Sequence, residues 1–164
     1  MIAIVPVSPE NVATFKDVRL RALEDAPTAF ASTYAREAEF SDEEWMRRTL
    51  RWDGEKGIGY LAMEGGLCCG IAGAFLAEDT PSRALLVSMW TAPTHRKSGV
   101  GRMLVEAIEQ WSRERGAGRL ELLVTSTNEP AIRFYTSRGF ELTGRSEPHP
   151  YDEVLLDFEM TKML

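Results

Sequence analysis

Two histidines and two cysteines are all the imidazole and thiol groups this 164-residue chain carries. His95 and His149 are far apart, and neither stands at metal-ligand spacing. Cys68 and Cys69 are neighbours, so in a strand their side chains point to opposite faces and supply neither a metal pair nor an ordinary disulfide. No metal is expected, and one of the two thiols is expected to be buried as a small hydrophobe. Long apolar runs are also missing. The longest stretch without charge, Gly65 to Ala77, has 13 residues, four of them glycine, short of the ~20 that span a bilayer. The opening Met-Ile-Ala-Ile-Val-Pro has no basic leader or cleavage site, so a cytoplasmic protein with no membrane partner is the expectation.

Positive charge is in deficit: 19 Lys and Arg stand against 25 Asp and Glu, a net −6. That balance argues against a general nucleic-acid binder. Its distribution is uneven. Residues 1–60 hold 11 acids and 8 bases, and residues 140–164 hold 6 and 2. Residues 95–119 invert the sign, with six bases against three acids. A basic patch on an acidic body suits a small anionic ligand.

The length fits one domain with its own core. Apolar spacing predicts strands at 2–6, 59–63, 67–77, 85–91 and 120–124, and closing strands at 140–144 and 154–160 joined across Glu147 to Asp152. Helices are expected over 11–24, from the Ser41 to Glu44 capping box to about Trp52, over 99–115, and over 130–138. In the third of these Val100, Met103, Leu104, Ala107, Ile108 and Trp111 form one apolar stripe, and Gly116 follows as a stop. The order is β-α-α-β-β-β-α-β-α-β-β, an α/β fold.

Chemistry is expected where the 85–91 strand runs into the 99–115 helix. A helix start presents unpaired N–H groups and the positive end of its dipole, a seat for phosphate. Gly99 and Gly101 keep side chains out of the way of such an anion, and Arg96 and Lys97 add charge. The segment is neither GxxxxGK[ST] nor GxGxxG. Downstream, Asn128 and Tyr135 are seven residues apart, close to two helical turns, and share a face.

Two motifs carry a resemblance. Arg96-Lys97-Ser98-Gly99-Val100-Gly101 is similar to the [QR]-x-x-G-x-[GA] pyrophosphate motif of the GNAT superfamily of acyl-CoA-dependent N-acetyltransferases. Asn128 to Phe140 is similar to that family's N-x-x-A-x-x-x-Y-x-x-x-G-F segment, with Ala131 and Tyr135 in place. The resemblance implies a single-domain GNAT-like fold: a mixed, mostly antiparallel twisted sheet with a V-shaped splay between its central strands and helices on both faces. Residues 84–144 would be the acetyl-CoA-binding core and residues 1–56 the acceptor side.

The same resemblance implies roles. Acetyl-CoA is the cosubstrate, its pantetheine arm pairing with the backbone of Met89, Trp90 and Thr91, and its pyrophosphate bound by Arg96, Lys97, Ser98, Gly99, Val100, Gly101 and Arg102. Asn128 bonds the pantetheine arm, and Tyr135 protonates the departing thiolate as general acid. The partner is an amine acceptor, from a small molecule or a peptide; a non-catalytic acyl-CoA sensor is the alternative. The base is left open. Positions where relatives carry a glutamate are Leu85 and Leu123 here, so Glu121, an N-terminal carboxylate (Glu24, Asp25, Glu37, Glu39) or water remains. Phe30, Tyr34, Trp45, His149 and Tyr151 are candidate walls of the acceptor site. An exposed apolar strand edge would support a homodimer.

Overall fold

Local sequence sets most of the element ends. In the computed structural model, which describes residues 1–164, Ser41 Oγ accepts the Glu44 N–H at 3.1 Å and starts a helix at Asp42, as the capping box requires. Thr33 caps a single turn in the same way, and Asn128 accepts the Ala131 N–H at 3.3 Å. The elements are β1 (Ile2–Pro6), α1 (Val12–Asp25), α2 (Tyr34–Glu37), α3 (Asp42–Arg51), β2 (Gly57–Glu64), β3 (Leu67–Leu76), β4 (Arg83–Thr91), α4 (Val100–Glu114), β5 (Arg119–Thr125), α5 (Glu129–Ser137), β6 (Glu141–His149) and β7 (Asp152–Met163).

The seven strands form one sheet in the order β1-β2-β3-β4-β5-β7-β6. Only β4 and β5 run parallel; every other pair is antiparallel. The helix α4 is the crossover between the two parallel strands. Its apolar stripe buries Val100, Leu104, Val105, Ile108 and Trp111 against the sheet, each large aliphatic contributing about 1.5–3 kcal/mol by leaving water. Helices α1 and α3 cover the opposite face, where Phe15 packs edge-on to Trp45 at 5.5 Å and against Trp52 at 5.3 Å.

Covering both faces explains the cysteines. Cys68 and Cys69 point to opposite sides, yet both are buried, because neither face of β3 meets water. The expectation that one would be buried fell short by one. The closing hairpin differs too. Residues Glu147 to Asp152, expected as a connection, are largely strand, and the turn is only Pro150 and Tyr151. Pro148 is tolerated inside β6 because that strand is the sheet edge, with no neighbour on its outer side. No helix is long and apolar enough to cross a membrane.

Candidate active site

The chain leaves β4 through a short 3-10 turn at Pro93–His95 and enters α4 by way of two left-handed residues, Lys97 (φ +63°) and Gly99 (φ +91°). Glycine adopts that conformation at no steric cost; lysine pays of order 1–2 kcal/mol for it. The N–H groups of Gly99, Val100, Gly101 and Arg102 donate to no protein atom, and the first bond of the helix runs from Met103 N–H to the Gly99 carbonyl at 3.0 Å. Lys97 and Arg102 stand beside these donors without an ion-pair partner. Four free N–H groups, a helix dipole and two free cations make an anion cradle.

Three residues of this motif also make contacts within the fold. Arg96 is turned back on the fold: its Nε–H donates to the Thr91 carbonyl at 3.1 Å, and Nη2 meets Asp25 at 2.5 Å. Asp25 also accepts from Trp90 Nε1–H at 2.9 Å. The Trp90 hydrogen bond, then Arg96, hold its carboxyl below the usual range. Ser98 spends its hydroxyl on the His95 carbonyl. A Cβ on Gly101 would lie 3.1 Å from the Phe134 ring and 3.4 Å from the Met89 methyl. Its bare Cα therefore lets α4, α5 and β4 meet at one point.

Next to the cradle the sheet opens. Strand β4 pairs with β5 only through Arg83–Leu85 against Arg119–Glu121. From Leu86 to Thr91 the edge of β4 that faces β5 is free, so the backbone of Met89 is open to an extended ligand; the Trp90 backbone, expected to take part, pairs instead with Ile71 of β3, and the Thr91 carbonyl is engaged by Arg96. A bulge at Ser88 (φ +57°) bends the strand here, and Arg19 Nη1–H donates to Ser88 Oγ at 3.3 Å.

Helix α5 lines the same opening. Asn128 caps it with its side-chain oxygen, which leaves the amide N–H groups without a partner. Ala131 is half-buried on the face shared by Asn128 and Tyr135. The Tyr135 ring is 8% exposed and stands edge-on to Phe134 at 5.3 Å and Phe140 at 5.6 Å. Its hydroxyl makes no hydrogen bond, and it is not among the sealed polar atoms without partners. Burial pushes its pKa well above that of an ordinary phenol, so it remains a proton donor across the neutral range.

On the other face of the splay lies a cavity of about 720 Å³ between α1–α3 and β5–β7. The carbonyl of Thr28 ties its mouth shut at one end, accepting from Thr125 Oγ1 at 2.7 Å and from His149 Nε2–H at 2.8 Å. His149 Nδ1 accepts the Tyr151 N–H at 3.2 Å, which leaves Nε2 as the donor to Thr28. Of the five aromatic wall candidates only Phe30 and His149 line the cavity. Trp45 is core, and Tyr34 and Tyr151 face solvent.

The candidate bases fare unevenly. Glu121 faces the cavity but lies between Arg83 at 3.0 Å and Arg119 at 3.1 Å. Glu37 is sealed; burial opposes its ionisation, but Arg19 on both oxygens and Arg48 outweigh it and hold the carboxyl at about 2. Glu24 and Glu39 are exposed. Two carboxylates that sequence reasoning passed over, Asp157 and Glu159, line the cavity unpaired. They stand opposite Thr125 and Leu123 in the β5–β7 ladder, and burial raises Asp157 above the usual carboxylate value. No local signal marks them: the alternation of β7 is readable, but its place beside β5 is not.

A sheet that parts beside a helix start with free N–H groups, with a cavity at the same opening, is the arrangement that the chain presents. The sequence pattern of the acetyltransferase (GNAT) family matches residues 20–140, and the chain belongs to that family. It is 44% identical over 62 residues to streptothricin acetyltransferase of Streptomyces lavendulae, covering 38% of this chain and 33% of that protein. The chain spans a third to under half of the length of the curated relatives it matches. Two solved structures share its fold over its whole length, each with a TM-score of 0.82. One is an acetyltransferase of the GNAT family from Streptococcus pneumoniae, 20% identical and fully covered. The other is yncA of Salmonella typhimurium with its cofactor acetyl-CoA, 17% identical and 94% covered.

Proposed function

We propose that this protein is an N-acetyltransferase that moves the acetyl group of acetyl-CoA to a primary amine of a small molecule or peptide, by direct attack with both substrates bound. The observation that carries the reading is the joint opening of β4 and the α4 start: free backbone edge, four free N–H groups, Lys97 and Arg102, with Tyr135 and the Asn128 amide alongside. These residues fit an extended arm ending in a pyrophosphate. In this reading residues 84–144 hold acetyl-CoA and residues 1–56 supply much of the acceptor side.

The chemistry then divides among the chain's own groups. The cradle Gly99–Arg102 and Lys97 neutralise the pyrophosphate, and the Met89 backbone and Asn128 orient the arm. A backbone N–H of the β4 edge polarises the thioester carbonyl. The amine nitrogen forms a bond to that carbon, the carbon–sulfur bond breaks, and the thiolate takes the Tyr135 proton, while the proton that the nitrogen sheds as the amide forms restores the phenol. An alkylammonium has a pKa of roughly 10, so its proton must first be accepted; of the three cavity carboxylates not committed to an arginine, Glu147, Asp157 and Glu159, the last two stand on β7 beside β5 and are assigned the task. Holding both reactants removes the need for a covalent enzyme intermediate.

The similarity to streptothricin acetyltransferase supports acetyl transfer. Mixing the protein with acetyl-CoA and a panel of amines while following free CoA thiol tests the reading. Thiol release that saturates with an amine supports it. Tight acetyl-CoA binding with no amine-dependent release would instead identify an acyl-CoA sensor.

A further inference from the structure

The cavity is sorted by charge. Its lining contains six arginines and six carboxylates, and most neutralise each other locally. Glu37 takes Arg19 and Arg48, Glu44 takes Arg47, and Glu121 takes Arg83. What remains is segregated. The unpaired cations, Arg36 and Arg51, come from α2 and α3, and the unpaired carboxylates, Glu147, Asp157 and Glu159, come from β6 and β7.

No ion pair joins the two sets, so the cavity itself separates them. Each charge is left where a ligand would meet it. Arg36 is stacked over Phe40 at 5.8 Å, and Arg51 follows Glu44, Arg47 and Arg48 at helical spacing on one face of α3. A second, independent feature points to an occupant. One of the protein's sealed polar atoms without a partner, Trp52 Nε1, belongs to a cavity-lining residue more than nine-tenths buried, while Ser32 on the same wall turns its hydroxyl to Glu37. Sealed donors without partners are costly unless a ligand or water completes them.

We propose that the acceptor is a dipolar amine of amino-acid type, its ammonium held by Asp157 and Glu159 and its carboxylate by Arg36 and Arg51. This rests on the acetyl-transfer reading and narrows it. The amine end falls on the β5–β7 side, next to the splay where the thioester would arrive. The carboxylate end falls on the helical wall, away from the reacting atoms, where it sets selectivity. Guanidinium groups suit this task because their planar fork matches a carboxylate. A cavity of about 720 Å³ lies within the usual size for a small-molecule site.

The experiment uses matched pairs that differ only by the carboxylate: leucine against isopentylamine, and lysine against cadaverine. In acetyl-CoA-dependent thiol release, the amino acid of each pair should show a kcat/KM roughly tenfold or more above its partner, the scale of one charged hydrogen bond. R51Q should collapse that ratio toward one, chiefly through KM, and R36Q should do so in part. Equal use of both members, or preference for cadaverine, overturns the proposal and leaves acetyl transfer standing. If no amine is acetylated, the transfer reading fails. The recognition claim is then read by calorimetric titration of the same pairs onto the CoA-saturated protein. Tighter binding of leucine than of isopentylamine supports it there, and equal or absent binding overturns it.

Discussion

Tyr135→Phe separates chemistry from architecture, because the structure gives the hydroxyl no structural duty. The ring is packed between Phe134 and Phe140, and phenylalanine keeps that packing. The oxygen makes no hydrogen bond, so its removal forfeits none of the ~1 kcal/mol that a bonded hydroxyl would contribute. Stability in a denaturant titration should therefore move by less than about 0.5 kcal/mol, and acetyl-CoA affinity should hardly change. Turnover is another matter. Loss of a general acid costs on the order of 10²–10⁴ in rate, or about 3–5 kcal/mol in barrier. The parent should also show no alkaline loss of kcat from this group below pH of about 10, since burial raises its pKa. The assay is CoA thiol release at saturating acetyl-CoA and amine, parent against variant. Full activity in the phenylalanine variant would refute the assignment; so would a stability loss large enough to account for the whole drop in rate.

The cradle is tested by K97Q combined with R102Q, which leaves backbone and glycines alone. Acetyl-CoA affinity should weaken by roughly tenfold or more and lose part of its salt dependence, read by calorimetry at two ionic strengths. Glu37 tests the wall between α1 and α3. Its folded pKa of about 2 lies below the 4.5 of an unperturbed glutamate, so its contribution is complete above the unfolded value and is lost as pH falls from about 4.5 toward 2. That difference corresponds to about 3 kcal/mol. E37Q should cost on the order of 3–5 kcal/mol at neutral pH by leaving Arg19 and Arg48 partly uncompensated, and it should flatten the acid limb of the stability profile.

What was legible in the sequence was what local chemistry decides. The Ser41 cap, the α4 stripe and the Asn128 cap all follow from residues within a turn of each other, and the structure places them as spacing demands. The Gly99 turn was readable for the same reason. What escaped was set by distance along the chain. Arg96 looked like a free cation at a phosphate site, because nothing local shows that Asp25, at the end of α1, comes within hydrogen-bond reach. Glu121 looked available because Arg83 lies on another strand. Asp157 and Glu159 became visible only once β7 was inserted between β5 and β6, which alternation in a single strand does not reveal. The length of β6 was hidden by Pro148, which reads as a break unless the strand is known to be an edge. The β4–α4 opening was thus mostly local and legible, and the cavity mostly tertiary and hidden.

The central claim, that acetyl passes directly from acetyl-CoA to an amine at the β4–β5 opening, is tested most directly by mass spectrometry. The protein, acetyl-CoA and an amine that supports thiol release are sampled during turnover, and both the amine and the intact protein are weighed. The account predicts that the amine gains the mass of one acetyl group in step with thiol release, while the protein carries none at any time. An acetylated protein that forms and decays at the rate of turnover, or thiol release without acetylated amine, would contradict it.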